Sequence, residues 1–217
     1  MLPKGVAWLL NGYVTVLKEY AEDEFTEKKS VFISYVKRVD DEDGAKRFIS
    51  EIKQKHKDAT HNVYAYILKD TGIARFSDDG EPSGTAGMPV LEVIKREGLT
   101  GVCVVVTRYF GGILLGAGGL VRAYAKAAKL GIDKAGTARF TEHTKFSVNL
   151  SYSEYQKLSN DVSKYGCTVI DTEYAQDVGV TLSCSEENLE KFKAYAADIT
   201  AGKAKIQILG KIFAPET

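Results

Sequence analysis

The chain has no run of about 18 consecutive apolar residues, the length a bilayer-spanning helix needs, so no membrane partner is expected. Cysteine is scarce. Cys103, Cys167 and Cys184 are odd in number, far apart and without any CxxC or Cys/His ligand spacing. That excludes a disulfide framework and a Cys/His metal site, and it suits a reducing, cytoplasmic compartment. Each thiol falls within a strand pattern, where cysteine reads as a small buried hydrophobe. Net charge is lacking too, since 29 basic residues face 29 acidic ones. Up to residue 138 the count is 20 against 18, and the remaining 9 and 11 follow it. Neither half is a nucleic-acid module by bulk charge, which leaves a local basic patch for such a role. The opening MLPKGVAWLLNG lacks the apolar core and cleavage site of a signal peptide, so residues 1–12 read as a lead-in extension. Nucleotide fingerprints are missing as well. Neither a P-loop Gly-Lys-Ser/Thr nor GxGxxG occurs, and no cofactor is expected.

What is present is ordinary for a soluble globular chain: 44% apolar and 27% charged residues. The patterning predicts an α+β protein of two domains, 1–138 and 139–217. In the first, residues 13–18 and 31–39 are rich in β-branched and aromatic side chains and read as strands. Ala45, Phe48, Ile49, Ile52 and His56 then recur at helical spacing behind four acids, Asp40 to Asp43. Residues 63–69 and 72–76 read as strands and 88–96 as a short helix. The run GVCVVVT, 101–107, is continuous and β-branched, as in a central strand covered on both faces. A Gly-rich loop follows it, then an Ala-rich helix over 120–134.

The second domain alternates more cleanly. A strand over 145–152 leads into a helix whose start reads as a capping box at Ser153–Gln156, stopped by Gly166. Strands at 167–171 and 178–184 follow, then a helix capped by Ser185 and a last strand over 205–213. The order β-α-β-β-α-β is the split-βαβ, or ferredoxin-like, arrangement. The polar stretch 136–144 reads as the boundary between the domains.

Two loops carry the chemistry. FSDDGEPSGTAGMP, 76–89, sets Asp78, Asp79 and Glu81 within four positions. Paired carboxylates can bind a hard cation or share acid/base work, although an acidic loop is also an ordinary solvated turn. Ser83 and Thr85 follow and lead into a helix start, where backbone N–H groups can receive an anion. GGILLGAGGL, 111–120, has five glycines in nine positions, including Gly118 and Gly119 at a helix start, with Arg122 in the first turn. Arg108 and Tyr109 end the buried strand between these loops, where sites in mixed sheets tend to sit. His61 opens a strand. The two loops are expected to meet at one end of that buried strand, with Asp78, Asp79 and Glu81 balancing Arg108 and Arg122 across a shared cleft.

The two loop sequences, FSDDGEPSGTAG and RYFGGILLGAGGL, resemble the signature of the YigZ/IMPACT family. EKKSVFI, 27–33, and DATH, 58–61, are similar to its earlier blocks. The resemblance spans roughly 13–217. It implies an N-terminal domain like the second domain of a small-subunit ribosomal protein and domain IV of the elongation factor EF-G. It also implies a ferredoxin-like C-terminal domain like other EF-G domains. Eukaryotic relatives regulate translation with the help of an extra N-terminal RWD domain, for which there is no room before Tyr13. Bacterial members commonly carry a Cys two residues after the motif His, where Val63 stands here.

Two functional readings follow. One is a translation-linked regulatory protein contacting RNA, the ribosome or a translation factor, with Ser83, Thr85, Arg108, Tyr109, Gly118, Gly119 and Arg122 as its binding residues. The other is a hydrolase with an acid/base or metal-assisted site built from His61, Asp78, Asp79 and Glu81. Convergence of His61 and the acids in one pocket favours the second reading.

Overall fold

The computed structural model describes residues 12–216, so the lead-in expected over 1–12 lies, but for Gly12, outside the described residues. The chain divides into two compact units, Met1–Arg139 and Phe140–Thr217.

In chain order the first unit holds strands β1 (Tyr13–Val16), β2 (Tyr20–Glu27) and β3 (Ser30–Arg38), helix α1 (Glu42–Lys55), and strands β4 (His61–Ile67) and β5 (Ala74–Ser77). Helix α2 (Gly87–Arg96), strand β6 (Val102–Tyr109) and helix α3 (Ala117–Ala135) complete it. Its main sheet runs β2-β3-β6-β4-β5, antiparallel at every pairing. Helix α1 packs Phe48, Ile49 and Ile52 on one face, against Tyr35, Tyr66, Cys103 and Val105. Helices α2 and α3 cover the other, where Val90, Ile94, Tyr124 and Ala128 meet Phe32, Val63, Val104 and Val106. Successive side chains of a strand point to opposite faces, so the unbroken apolar run of β6 feeds two cores in alternation. The acid-rich β2 had no strand signal in the sequence. It is an edge strand, and Glu22, Asp23, Glu24 and Glu27 keep that edge from pairing with another chain.

The second unit comprises β7 (Thr137–Leu150) from Phe140 on, α4 (Tyr152–Asp161), a 3-10 turn (Val162–Tyr165), β8 (Thr168–Tyr174), β9 (Val178–Cys184), α5 (Glu186–Ile199) and β10 (Ile206–Pro215). Four of its strands line up as β10-β7-β9-β8, all antiparallel, which is the split-βαβ sheet. A core of its own joins Phe146, Val148, Leu158, Val180, Leu182 and Phe192. Two local expectations change. The polar stretch 136–144 does hold the division, at Arg139/Phe140, but from Thr137 on it is strand β7 and not a linker, with Phe140, His143 and Thr144 as its buried positions and only one of them apolar. The capping box of α4 is Ser151 with Glu154, two residues before the expected Ser153, because the alternation of β7 already ends at Leu150. Gly166 ends the turn in the left-handed conformation, as expected.

Candidate functional site

The register of the first sheet builds the site. Val63 and Ala65 of β4 and Val104 and Val106 of β6 face α2 and α3. By the two-residue period, His61 and Arg108 share that face, and they sit directly opposite one another. Tyr109, one residue on, faces α1 instead. Its hydroxyl lies 2.8 Å from Nδ1 of His56, whose Nε2 lies 2.5 Å from the Tyr35 hydroxyl. Tyr109 therefore lies on the opposite face of the sheet and does not line the candidate site.

The three carboxylates of the 76–89 loop have three different tasks. Asp78 accepts from the backbone N–H groups of Gly84, Ala86 and Gly87 at 2.9, 3.1 and 2.8 Å. It thereby caps α2, whose own N-cap, Ala86, has no side chain to do so. Asp79 sits at φ 47°. Its carboxylate accepts from the Asn62 N–H at 2.7 Å and from Lys53 Nζ at 2.6 Å. Its carbonyl accepts from Nδ1 of His61 at 2.8 Å. A carbonyl only accepts, so Nδ1 carries the proton and Nε2 of the neutral ring is the bare nitrogen. Glu81 is almost fully buried, and its Oε1 accepts from Arg108 Nη1 at 2.6 Å and from the Tyr124 hydroxyl at 2.7 Å. Nε2 of His61 lies 3.8 Å from the same oxygen. Burial, reinforced by the Glu81 charge, pushes the Tyr124 hydroxyl far above the ordinary phenol range, so it stays a donor. Thr85 is buried and donates to the Pro82 carbonyl at 2.6 Å, which closes the loop. Ser83 is exposed.

His61, Glu81 and Arg108 line one cleft of about 380 Å³ with Thr60, Gly80, Pro82, Phe110 and the start of α3. The two loops thus meet at the end of β6, as the sequence implied. The cleft has apolar walls, Pro82, Phe110, Leu114, Leu115 and Leu120, around a polar part in which Glu81 already neutralises Arg108. Gly111 is required nearby, because a Cβ there would come within 2.0 Å of the Lys29 backbone.

Arg122 does not join this cleft. It lines a neighbouring groove of about 230 Å³ with Lys28, Lys126, Phe25, Glu27 and Gly119, on the other side of the first turn of α3. Gly118 lies beside it, where an added Cβ would stand 3.6 Å from Arg122 Nη1. The N-cap of α3 is Gly116, which offers no side-chain cap. Among the described residues, no group of three His, Cys, Asp or Glu is placed to hold a metal ion, and no helix is long and apolar enough to cross a membrane. Sequence reasoning missed Tyr124, Lys53, Phe110, Leu114, Lys28 and Lys126. The one available signal was Tyr124, a large polar-tipped ring interrupting the Ala-rich face of α3.

Fold and site describe a two-domain α+β protein with a ligand-sized cleft in its N-terminal unit. The sequence motifs carry the assignment further. The model of the Impact N-terminal domain matches residues 28–132, and that of a domain of unknown function, DUF1949, matches 148–203. The chain is 38% identical over 200 residues to the IMPACT family member YvyE of Bacillus subtilis, covering 92% of each chain. It is 31% identical over 204 residues to the IMPACT family member YigZ of Escherichia coli, covering 92% of this chain and 97% of that one. A solved structure described as a hypothetical protein superposes with a TM-score of 0.57 at 29% identity, covering 90% of this chain and 96% of the other. The chain belongs to the IMPACT family.

Proposed function

We propose that the chain is a translation-linked regulatory protein of the cytoplasm that contacts RNA through its N-terminal unit. The observation that carries this reading is the groove beside α3. Lys28, Arg122 and Lys126 line it with Glu27 as the one acid, and among the described residues none of the three cations has an ion-pair partner. Three cations without an ion pair, with Lys126 standing 4.3 Å over the Phe25 ring, suit a phosphate chain beside the backbone N–H of Gly119. Neutral overall charge is compatible with this, because such binding needs only a local patch. The resemblance of the family's domains to ribosomal-protein and elongation-factor domains supports the reading by fold analogy. The test is sedimentation of the protein with ribosomes, and titration with RNA, at two salt concentrations. Binding that weakens as salt rises is expected. Binding that is absent at low salt as well overturns the reading.

A second reading rests on the convergence at His61. The Asp79 carbonyl fixes the tautomer that leaves Nε2 bare beside the cleft, the state a general base requires. Hydrolysis there would use a water activated by Nε2, with α3 backbone N–H groups receiving the developing oxyanion. The carboxylates of Asp78 and Asp79 are committed to backbone and Lys53, so the metal-assisted form has little support. Screening ester and phosphodiester substrates with the chain and its His61→Ala variant tests this reading. Turnover that the variant retains, or no turnover at all, counts against it.

A further inference from the structure

The His61 cleft and the basic groove flank the same helix turn, and Leu115 lines both. Their chemistry differs. The groove presents three cations. The cleft presents an aromatic ring, apolar walls and a charge-balanced polar floor. We infer that the cleft takes a single unstacked base of single-stranded RNA, while the neighbouring groove holds the strand's phosphates. This rests on the RNA-binding reading above and adds the site at which a base is held.

Three observations favour this occupant. Phe110 is 45% exposed at the cleft, with the Arg108 guanidinium carbon 5.4 Å from its ring centroid, so a flat ligand has an aromatic surface already backed by a cation. Leu114 is 81% exposed on the same cleft, an apolar side chain left uncovered at the cleft wall. Nε2 of His61 is an acceptor in the neutral ring, and every RNA base offers at least one N–H donor on its edge. Glu81 cancels the Arg108 charge, so the floor suits a neutral polar ring better than a phosphate or carboxylate. The anionic part of a nucleotide falls instead to Lys28, Arg122 and Lys126. A duplex has no free base for such a cleft, which selects for a single strand.

The experiment compares a ten-nucleotide RNA strand with an abasic strand of the same length and charge, across a series of salt concentrations. One base stacked on an aromatic ring is worth about 1–3 kcal/mol, so the base-bearing strand should bind roughly 5- to 150-fold more tightly. Phe110→Ala should remove that advantage and leave the salt slope unchanged. Phe110→Trp should keep it, which separates stacking from a structural effect of the loop, and Leu114→Ala should reduce it. Arg122→Ala with Lys126→Ala should lower the slope for both strands, by about 0.7 for each phosphate no longer neutralised. Equal affinity for the two strands overturns the base site and leaves the phosphate reading standing. So does a base advantage that Phe110→Ala retains. Failure of both strands to bind at low salt overturns the reading and the inference together.

Discussion

Nη1 of Arg108 stands 2.6 Å from Oε1 of Glu81, a charge pair almost closed to solvent on the face of β6 that α2 and α3 cover. The Tyr124 hydroxyl completes the oxygen's shell. One strand end, one loop and one helix are locked together there by a single carboxylate. Removing one partner of a buried pair strands the other charge, a loss of about 3–5 kcal/mol. Glu81→Ala should cost that much in urea unfolding. The double change Glu81→Ala with Arg108→Ala should cost clearly less than the sum of the two single changes. Strict additivity would mean that the pair does not hold the loop.

The two aspartates of the loop should separate in the same assay. Asp78 accepts three backbone N–H groups and caps α2. Asp78→Ala should cost about 2 kcal/mol, the scale of a lost N-cap. Asp79 pairs with Lys53, whose side chain is 41% exposed. A double-mutant cycle should find Asp79 coupled to Lys53 by a few tenths to about 1 kcal/mol, as for other solvent-accessible ion pairs. A larger coupling of Asp79 to Arg108 than to Lys53 would restore the cleft geometry expected from sequence.

Acid should weaken the N-terminal unit through His56. Burial, helped by Lys55 and opposed by Glu22 and Asp58, holds its imidazole below the ordinary histidine range. The unfolded chain therefore takes up this proton first, near the ordinary value of about 6.5. Stability from this group is complete above that pH and is lost as pH falls through the lower folded value. His143, lowered chiefly by burial, acts in the same direction in the second unit. Urea midpoints measured from pH 7.5 down to 5 should fall, and His56→Gln should flatten part of that slope. A midpoint that rises on acidification refutes the assignment.

The strands and helices that pack on a core were legible, because burial imposes a period of two or 3.6 residues on the sequence. His61, Glu81 and Arg108 were legible for a related reason: each is a chemically capable residue at the end of an apolar run or in a loop beside one. What stayed hidden depended on long-range partners. Lys53 lies on the solvent side of α1 and meets Asp79 across 26 positions, a pairing that local spacing does not encode. Tyr124 carries the helical period of a core residue, and only its hydroxyl distinguishes it from one. Arg122 follows the glycine loop directly in sequence, yet the helix turns it towards Lys28 and away from Arg108. Edge strand β2 was invisible because its acids satisfy a requirement of the edge and not of the core.

The second unit should fold without the first. Its core joins residues from β7, α4, β9 and α5, with Cys167 just before β8, all from this part of the chain. Its helices carry their own caps, with Ser151 and Glu154 at α4 and Ser185 at α5. Burial of Phe146, Val180, Leu182 and Phe192, each 0% exposed, gives it a centre of large side chains independent of the other unit's core. A fragment beginning at Thr137, so that β7 is intact, should therefore unfold in one cooperative transition. For about 80 residues its enthalpy should be on the order of 55 kcal/mol near 60 °C, at about 0.7 kcal/mol per residue. Calorimetry decides the matter. A broad transition without a heat-capacity peak would show that the fragment lacks a fixed core, and a van't Hoff enthalpy well below the calorimetric one would break two-state behaviour. A fragment starting at 145, by contrast, removes Phe140, His143 and Thr144 and strips β10 of its partners from Lys211 to Pro215. It should melt at a lower temperature than the fragment from Thr137, and equal melting temperatures would place the structural start of the unit later in β7.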